Sequence, residues 1–265
     1  LAECMISVLE SEKRITSSQA LLFQHLCSQE NASKDLLAVL DDSSESKEGD
    51  IVPQIQKIVI DDLHSRWCEC FKVFDTDAAK DASIEERQEL GIQRTSLVYG
   101  EVSFPSMAHL VWTHLTDLPS GAVFYDLGSG SGRCVIAMAM IHDVSKSVGI
   151  ELLELLVEGS QQVLEEYNNT ICKTCNWQPS PADISFIRGS FLENSWADAD
   201  LIFINGTGFE SSMYNEIAEQ AQRLKPKAYV VLTTRPLDSD HFRMVHCGQY
   251  PMSWGVATVY IQQRK

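Results

Sequence analysis

The run DLGSGSG at 126–132 offers main chain rather than side chain to whatever lies beside it. Gly128, Gly130 and Gly132 permit a tight turn and let a ligand come close to the backbone. A helix beginning just beyond the turn adds free N–H groups that attract negative charge. The spacing is G-x-G-x-G behind an aspartate, whereas a dinucleotide loop normally needs G-x-G-x-x-G. Such a turn suits a ligand without a pyrophosphate, and Asp126 can anchor either an ammonium or the loop itself. Glu151 ends the next apolar run, where a carboxylate can hold both hydroxyls of a ribose. Phe191 follows the third run and can cover an adenine face. Taken singly, Glu151 also reads as a solvated acid and Phe191 as core. Together with the turn, they point to S-adenosyl-L-methionine as the ligand.

A fourth run ends at Asn205 and continues Gly206, Thr207, Gly208, Phe209. Ligands of open α/β sheets sit at the carboxyl ends of strands, so Asn205 is expected where a transferred methyl group would arrive. Two prolines and an aromatic after it would indicate methylation of a planar amide or base nitrogen. Gly206 and Thr207 stand there instead and disfavour that chemistry. The plain alternative is an asparagine that satisfies loop backbone at 206–208.

The elements that must position these residues follow from periodicity. Strands are predicted at 122–127, 146–151, 184–187, 201–205 and 229–233, with helices at 133–142, 152–167 and 211–224, and an edge or hairpin strand at 256–261. Strand–helix alternation implies an α/β fold, a Rossmann-like parallel sheet covered by helices on both faces. Before residue 97 the pattern is helical. Leu22, Leu26, Leu36, Leu37 and Leu40 keep helical spacing over 1–42, and Ile55, Val59, Leu63, Trp67 and Phe71 do so over 51–74. The polar, acidic stretch DDSSESKEGD at 41–50 reads as a mobile break. Ser83 and Glu86 have the spacing of a capping box opening a short helix. The expected division is a helical accessory region at 1–96 and a catalytic domain at 97–265, with no internal repeat.

The chain has 265 residues, 44% of them hydrophobic, enough for a full core. Its 37 acidic residues against 21 Lys and Arg give a net charge of −16, which argues against a strong direct DNA-binding patch and suits basic partners. No apolar run approaches the ~20 residues of a membrane helix. Residues 1–13 mix acidic and apolar groups and do not read as a signal peptide, although a chain opening on Leu1 reads as trimmed. Eight scattered cysteines suggest a reducing compartment. Cys172 and Cys175 have zinc-ligand spacing, with Cys68 and Cys70 as a conceivable second pair, but about a hundred residues separate the pairs and no metal site is expected.

Several of these residues recur in one family. The segment Val98-Tyr99-Gly100-Glu101-Val102-Ser103-Phe104, the loop at 126–132, Gly149 to Glu151, Gly189 to Leu192, Asn205, Ser253 and Trp254 together resemble the disruptor-of-telomeric-silencing family over roughly 97–262. Those enzymes methylate a lysine on the globular face of histone H3 without a SET domain. The resemblance implies a seven-stranded methyltransferase sheet and a histone-lysine N-methyltransferase acting on histone H3, within nucleosomes, in the nucleus. It further implies that Tyr99, Gly100 and Glu101 close over the amino-acid end of the cofactor. Asp126, Gly128, Gly130, Gly132, Arg133, Glu151, Ser190, Phe191 and Asn205 would complete its site. Asn205 and Trp254 would line a lysine channel, with Val259 or Tyr260 in the place of the family's tyrosine. Departures are Val102 for the usual Thr, Arg133 for Gln, and Ser190 for an Asp that would accept from the adenine amino group. Trp254, Phe209 and Tyr260 would supply an apolar wall that desolvates the lysine and lowers its pKa from ~10.4. The rivals are methylation of a non-histone protein or a small amine, and a catalytically inactive binding module. Intact glycines and Glu151 speak against the last.

Overall fold

The run LIFI has no polar side to turn toward water, and all four residues are buried as strand β4, Leu201–Ile204. A computed structural model describes residues 2–29, 34–41, 50–91, 100–171 and 181–265. The expected break at 41–50 therefore lies almost wholly outside the described residues, as do Tyr99, Cys172 and Cys175.

The chain begins with helices α1 (Ala2–Ser11), α2 (Ser17–Ser28), α3 (Lys34–Asp41), α4 (Val52–Cys70), α5 (Thr76–Glu89) and α6 (Phe104–His114). It continues with β1 (Ala122–Leu127), α7 (Arg133–Ile141), β2 (Val144–Glu151), α8 (Glu154–Asn169), β3 (Asp183–Arg188) and β4. The last part holds α9 (Ser211–Ala221), β5 (Tyr229–Thr233), β6 (Phe242–Met252) and β7 (Gly255–Arg264). The strands form a seven-stranded sheet in the order β3-β2-β1-β4-β5-β7-β6. The first five are parallel, while β7 runs antiparallel to both β5 and β6. The C-terminal strand is thus an inner strand, and β6 is the edge. Sequence periodicity missed β6 because it carries Gly248 and Pro251 and is half exposed, features an edge strand tolerates.

Alternation along each buried strand sends residues to two cores. Leu201 and Phe203 join one with Phe124, Val231 and Ile261; Ile202 and Ile204 join another with Leu127, Val230 and Leu232. The first core also holds residues of α1 to α4, with Phe23 edge-on to Trp112 of α6 at 5.9 Å, so the amino-terminal helices cover one face of the sheet. All nine residues of α7 are buried, as expected of a helix that reads RCVIAMAMI and packs against α4, α6 and β2 together.

Ser83 and Glu86 do not open a helix. They are buried within α5, whose start is capped by Asp75 accepting from Asp77 N and Ala78 N. Glu86 instead accepts from Glu154 N and Leu155 N at 2.7 and 2.8 Å. It thereby satisfies the free end of α8, whose own cap residue, Leu153, has no side-chain oxygen to offer.

Candidate active site

Strand order reverses between β1 and β4, and a cleft opens there at the carboxyl ends of the strands. Gly100, Glu101, Asp126, Gly128, Gly130, Arg133, Glu151, Ser190, Phe191 and Asn205 line it, together with Phe203, Thr207, Phe209 and Met213. Ten of the residues expected from the sequence therefore meet in one place. Gly132 does not reach the lining; it caps α7 in the left-handed region at φ 83°. Trp254 and Tyr260 are also absent from the lining.

The glycine loop is held from β2. Gly128 N and Ser129 N donate to Ile150 O at 2.8 and 3.1 Å. Gly130 N donates to Glu151 Oε2 at 2.9 Å, while Oε1 accepts from Leu152 N and Leu153 N. Gly128 has φ 86°, and a Cβ built on it meets no atom within 4 Å, so its main chain stays bare toward the cleft. Glu151 is buried, which raises its pKa, and its three N–H donors oppose that rise. Each carboxylate oxygen has two lone pairs, so Oε2 keeps capacity for a ligand hydroxyl. Asp126 is pushed up to about 8, first by burial and then by the nearby Glu151 carboxylate, against a hydrogen bond with Cys134. A cation placed beside it would recover the charged form. Ser129 Oγ is buried without a hydrogen-bond partner among the described residues.

A second charged group closes the amino-terminal side. Arg133 Nε and Glu101 Oε1 form an ion pair at 2.6 Å in which both side chains are about nine-tenths buried. Thr76 Oγ1 donates to Glu101 Oε2 at 2.7 Å and accepts from Arg133 Nη2 at 3.1 Å. The guanidinium lies 4.9 Å from the Trp67 ring centroid and 4.3 Å from that of Phe71. Main chain fixes Glu101 as well: its N donates to Ser253 Oγ and its O accepts from Ser253 N. Val102 bridges Met252, and the Trp254 ring covers Gly100 so closely that a Cβ there would come within 2.7 Å of it. Trp254 thus braces the segment at 100–102 from the β6–β7 turn.

At the end of β4, Asn205 Oδ1 accepts from Thr233 Oγ1 at 2.8 Å and Thr207 Oγ1 at 3.0 Å, and Nδ2 donates to Gly100 O at 3.3 Å. Gly206 is required beside it, because a Cβ would meet Tyr214 Oη at 2.1 Å. Phe209 lies nearly parallel to Phe191 across the cleft, centroids 5.9 Å apart. Ser190 Oγ accepts from Leu192 N at 3.2 Å. Thr76, Trp67, Phe71 and Thr233 carry no local sequence signal of a site role, because each meets its partner across a long sequence separation. Among the described residues no group of His, Cys, Asp and Glu could hold a metal ion.

The family profile described as "Histone methylation protein DOT1" matches residues 92–249, more than half the chain. Among curated proteins, a "Histone-lysine N-methyltransferase, H3 lysine-79 specific" of Candida glabrata is 29% identical over 136 residues, 49% of this chain and 20% of its own length. The protein of the same name in Gibberella zeae is 26% identical over 60% of this chain and 32% of its length, and that of Aspergillus fumigatus 31% identical over 52% and 27%. The chain thus spans between a fifth and a third of the length of these relatives. Among solved structures, an RNA methyltransferase from Salinibacter ruber in complex with S-adenosyl-L-homocysteine overlays with a TM-score of 0.45 at 22% identity, covering 60% of this chain and 90% of that one. The family match spans Gly100 and Glu101, the glycine loop, Glu151 and Asn205, and stops short of Trp254 and Tyr260. On that match, the chain belongs to the DOT1 family of histone methylation proteins.

Proposed function

We propose that this chain is an S-adenosylmethionine-dependent protein-lysine N-methyltransferase acting on a lysine in the core of histone H3. The observation that carries the reading is the meeting, in one cleft, of a bare glycine loop, Glu151 and Asn205 within the span of the family match. The residues fit the cofactor. Phe191 offers a face to adenine and Glu151 Oε2 an acceptor to ribose. Asp126 and Glu101 offer negative charge to an ammonium, Arg133 positive charge to a carboxylate. When bound, the cofactor supplies an electrophilic methyl group on a sulfonium. The protein's part is then mostly alignment of the incoming amine. Asn205, fixed through Oδ1 by Thr233 and Thr207, orients that amine, and Phe203, Phe209 and Met213 form apolar walls that favour its neutral form. No dedicated base is required. Trp254 acts through Gly100 by holding the segment that closes the cleft, and Tyr260, on β7 opposite Leu232, stays outside the lining.

A net charge of −16 suits a basic partner, and the relatives' names specify lysine 79 of histone H3. We further propose nucleosomes as the form in which that lysine is met and the nucleus as the place. Incubation with radiolabelled cofactor and either recombinant nucleosomes or free histones tests this. Label on histone H3 is expected, with nucleosomes the better substrate. Label only on another protein or a small amine favours that rival, and cofactor binding without any transfer favours an inactive module.

A further inference from the structure

We propose that Thr76, on helix α5 of the accessory region, is a positioning residue for the amino-acid end of the cofactor, acting through the Arg133–Glu101 pair. This rests on the cofactor reading above and deepens it. The cleft is lined by two unlike sets of side chains. Phe191, Leu192, Leu153 and Leu156 are apolar, and Asp126, Glu101 and Arg133 are ionisable. A ligand with a purine at one end and a zwitterion at the other enters such a cleft in one direction only. Its ammonium and carboxylate then meet the ionisable set, which holds both a guanidinium and carboxylates.

The ion pair in that set is dry. Arg133 and Glu101 expose only 10% and 8% of their side chains. Their ion pair alone does not fix where each points, because Arg133 also carries donors, and Glu101 a second oxygen, that need partners. One hydroxyl supplies both: Thr76 Oγ1 accepts from Arg133 Nη2 and donates to Glu101 Oε2. Trp67 and Phe71 of α4 and its end hold the face of the same guanidinium. Thr76 is the first residue of α5, behind the Asp75 cap, so its place is set by the helix start rather than by the ligand. The helical region before residue 91 thus reaches the charged groups of the cleft through Trp67, Phe71 and Thr76, of which Thr76 hydrogen-bonds to both members of the ion pair.

The test compares two ligands on the full chain by titration calorimetry: S-adenosylhomocysteine, and 5′-methylthioadenosine, which lacks the amino-acid end. Thr76→Val keeps the shape and removes the hydroxyl, and with it the hydrogen bonds to Arg133 Nη2 and Glu101 Oε2. S-adenosylhomocysteine should bind about tenfold more weakly, as expected for a lost hydrogen bond to charged groups. Binding of 5′-methylthioadenosine should be unchanged, and Thr76→Ser should restore the first ligand. Unchanged affinity of Thr76→Val for S-adenosylhomocysteine overturns the inference. So does equal weakening of both ligands, which marks general distortion, or a serine variant as weak as the valine. Wild-type protein that binds neither ligand removes the cofactor reading and this inference with it.

Discussion

At the end of β1, Asp126 lies buried beside a second carboxylate, with Cys134 as its hydrogen-bond partner. At the end of β4, Asn205 is neutral, with both ends of its amide engaged by Thr233, Thr207 and Gly100. Both face the same cleft. The first is an acid whose charge has no complement, kept largely protonated by burial and by the neighbouring Glu151 carboxylate. The second is a satisfied neutral network. Buried charge lacking a partner is costly, and a bound cation relieves that cost. A preassembled neutral network gains nothing on binding but orients whatever reaches it. If the proposed function holds, the β1 end serves affinity and the β4 end alignment, and substitutions at the two should fail differently.

The largest effect is expected at Gly130, whose φ of 53° suits glycine and whose N–H holds Glu151. S-adenosylmethionine at a hundred times its dissociation constant should raise wild-type stability by about 2.7 kcal/mol, roughly 5–10 °C in melting temperature. Gly130→Val should abolish that shift in differential scanning fluorimetry; a shift of wild-type size would take the loop out of the binding site. At the β4 end, Asn205→Ala should lower single-turnover methylation about 100-fold, the scale of a misplaced reactant. Cofactor affinity should hardly change, which is the pattern of an interaction made mainly in the transition state. Equal loss of affinity and turnover would make Asn205 a support of its loop and break the contrast.

Charge sharpens the comparison further. The Asp126 carboxyl titrates near 8 in the fold and near 4 when unfolded, so between those values the unfolded chain has released a proton that the fold still holds. Stability is then undiminished below about pH 4 and falls as pH rises toward 8. Asp126→Asn should flatten that decline in melting curves recorded from pH 5 to 8 without cofactor. In the wild type, stabilisation by the cofactor should grow with pH over the same range. A decline that survives in Asp126→Asn would assign it elsewhere.

The smallest effect lies outside the cleft and runs the other way. His114 on α6 stacks on His246 of β6 at 3.7 Å, with Tyr250 Oη within hydrogen-bonding distance of both rings and His109 edge-on. Burial, then His246 and His109, push its pKa down to about 4. Its neutral form is favoured in the fold, so stability is present above about pH 6.5 and lost as pH falls toward 4. His114→Phe should lessen that acid-side loss and leave the Asp126 decline untouched. An identical acid limb in the variant would show that the cluster does not couple to folding.

Much of the β1 and β4 ends was legible because their determinants are local. A G-x-G-x-G turn, an acid at the end of the next apolar run and an asparagine at the end of the fourth each lie within a few residues of the strand that aims them. The parallel sheet followed equally from the alternation of runs such as LIFI with amphipathic segments. Contacts that cross the fold left little or no such trace. Thr76 meets Arg133 across 57 residues and Thr233 meets Asn205 across 28. Glu86 shows the same limit: its spacing from Ser83 suggested a local cap, yet it caps a helix 68 residues away. The place of the Trp254 ring, laid on Gly100 from the β6–β7 turn, likewise has no local signal. Residue order alone determined the five parallel strands, where their carboxyl ends lie and which residue types stand there, because periodicity and turn geometry are short-range. Which helix buttresses the cleft, and which side chain bridges its ion pair, was decided only when the amino-terminal helices and the sheet closed around one core, since no local preference specifies a partner that far along the chain.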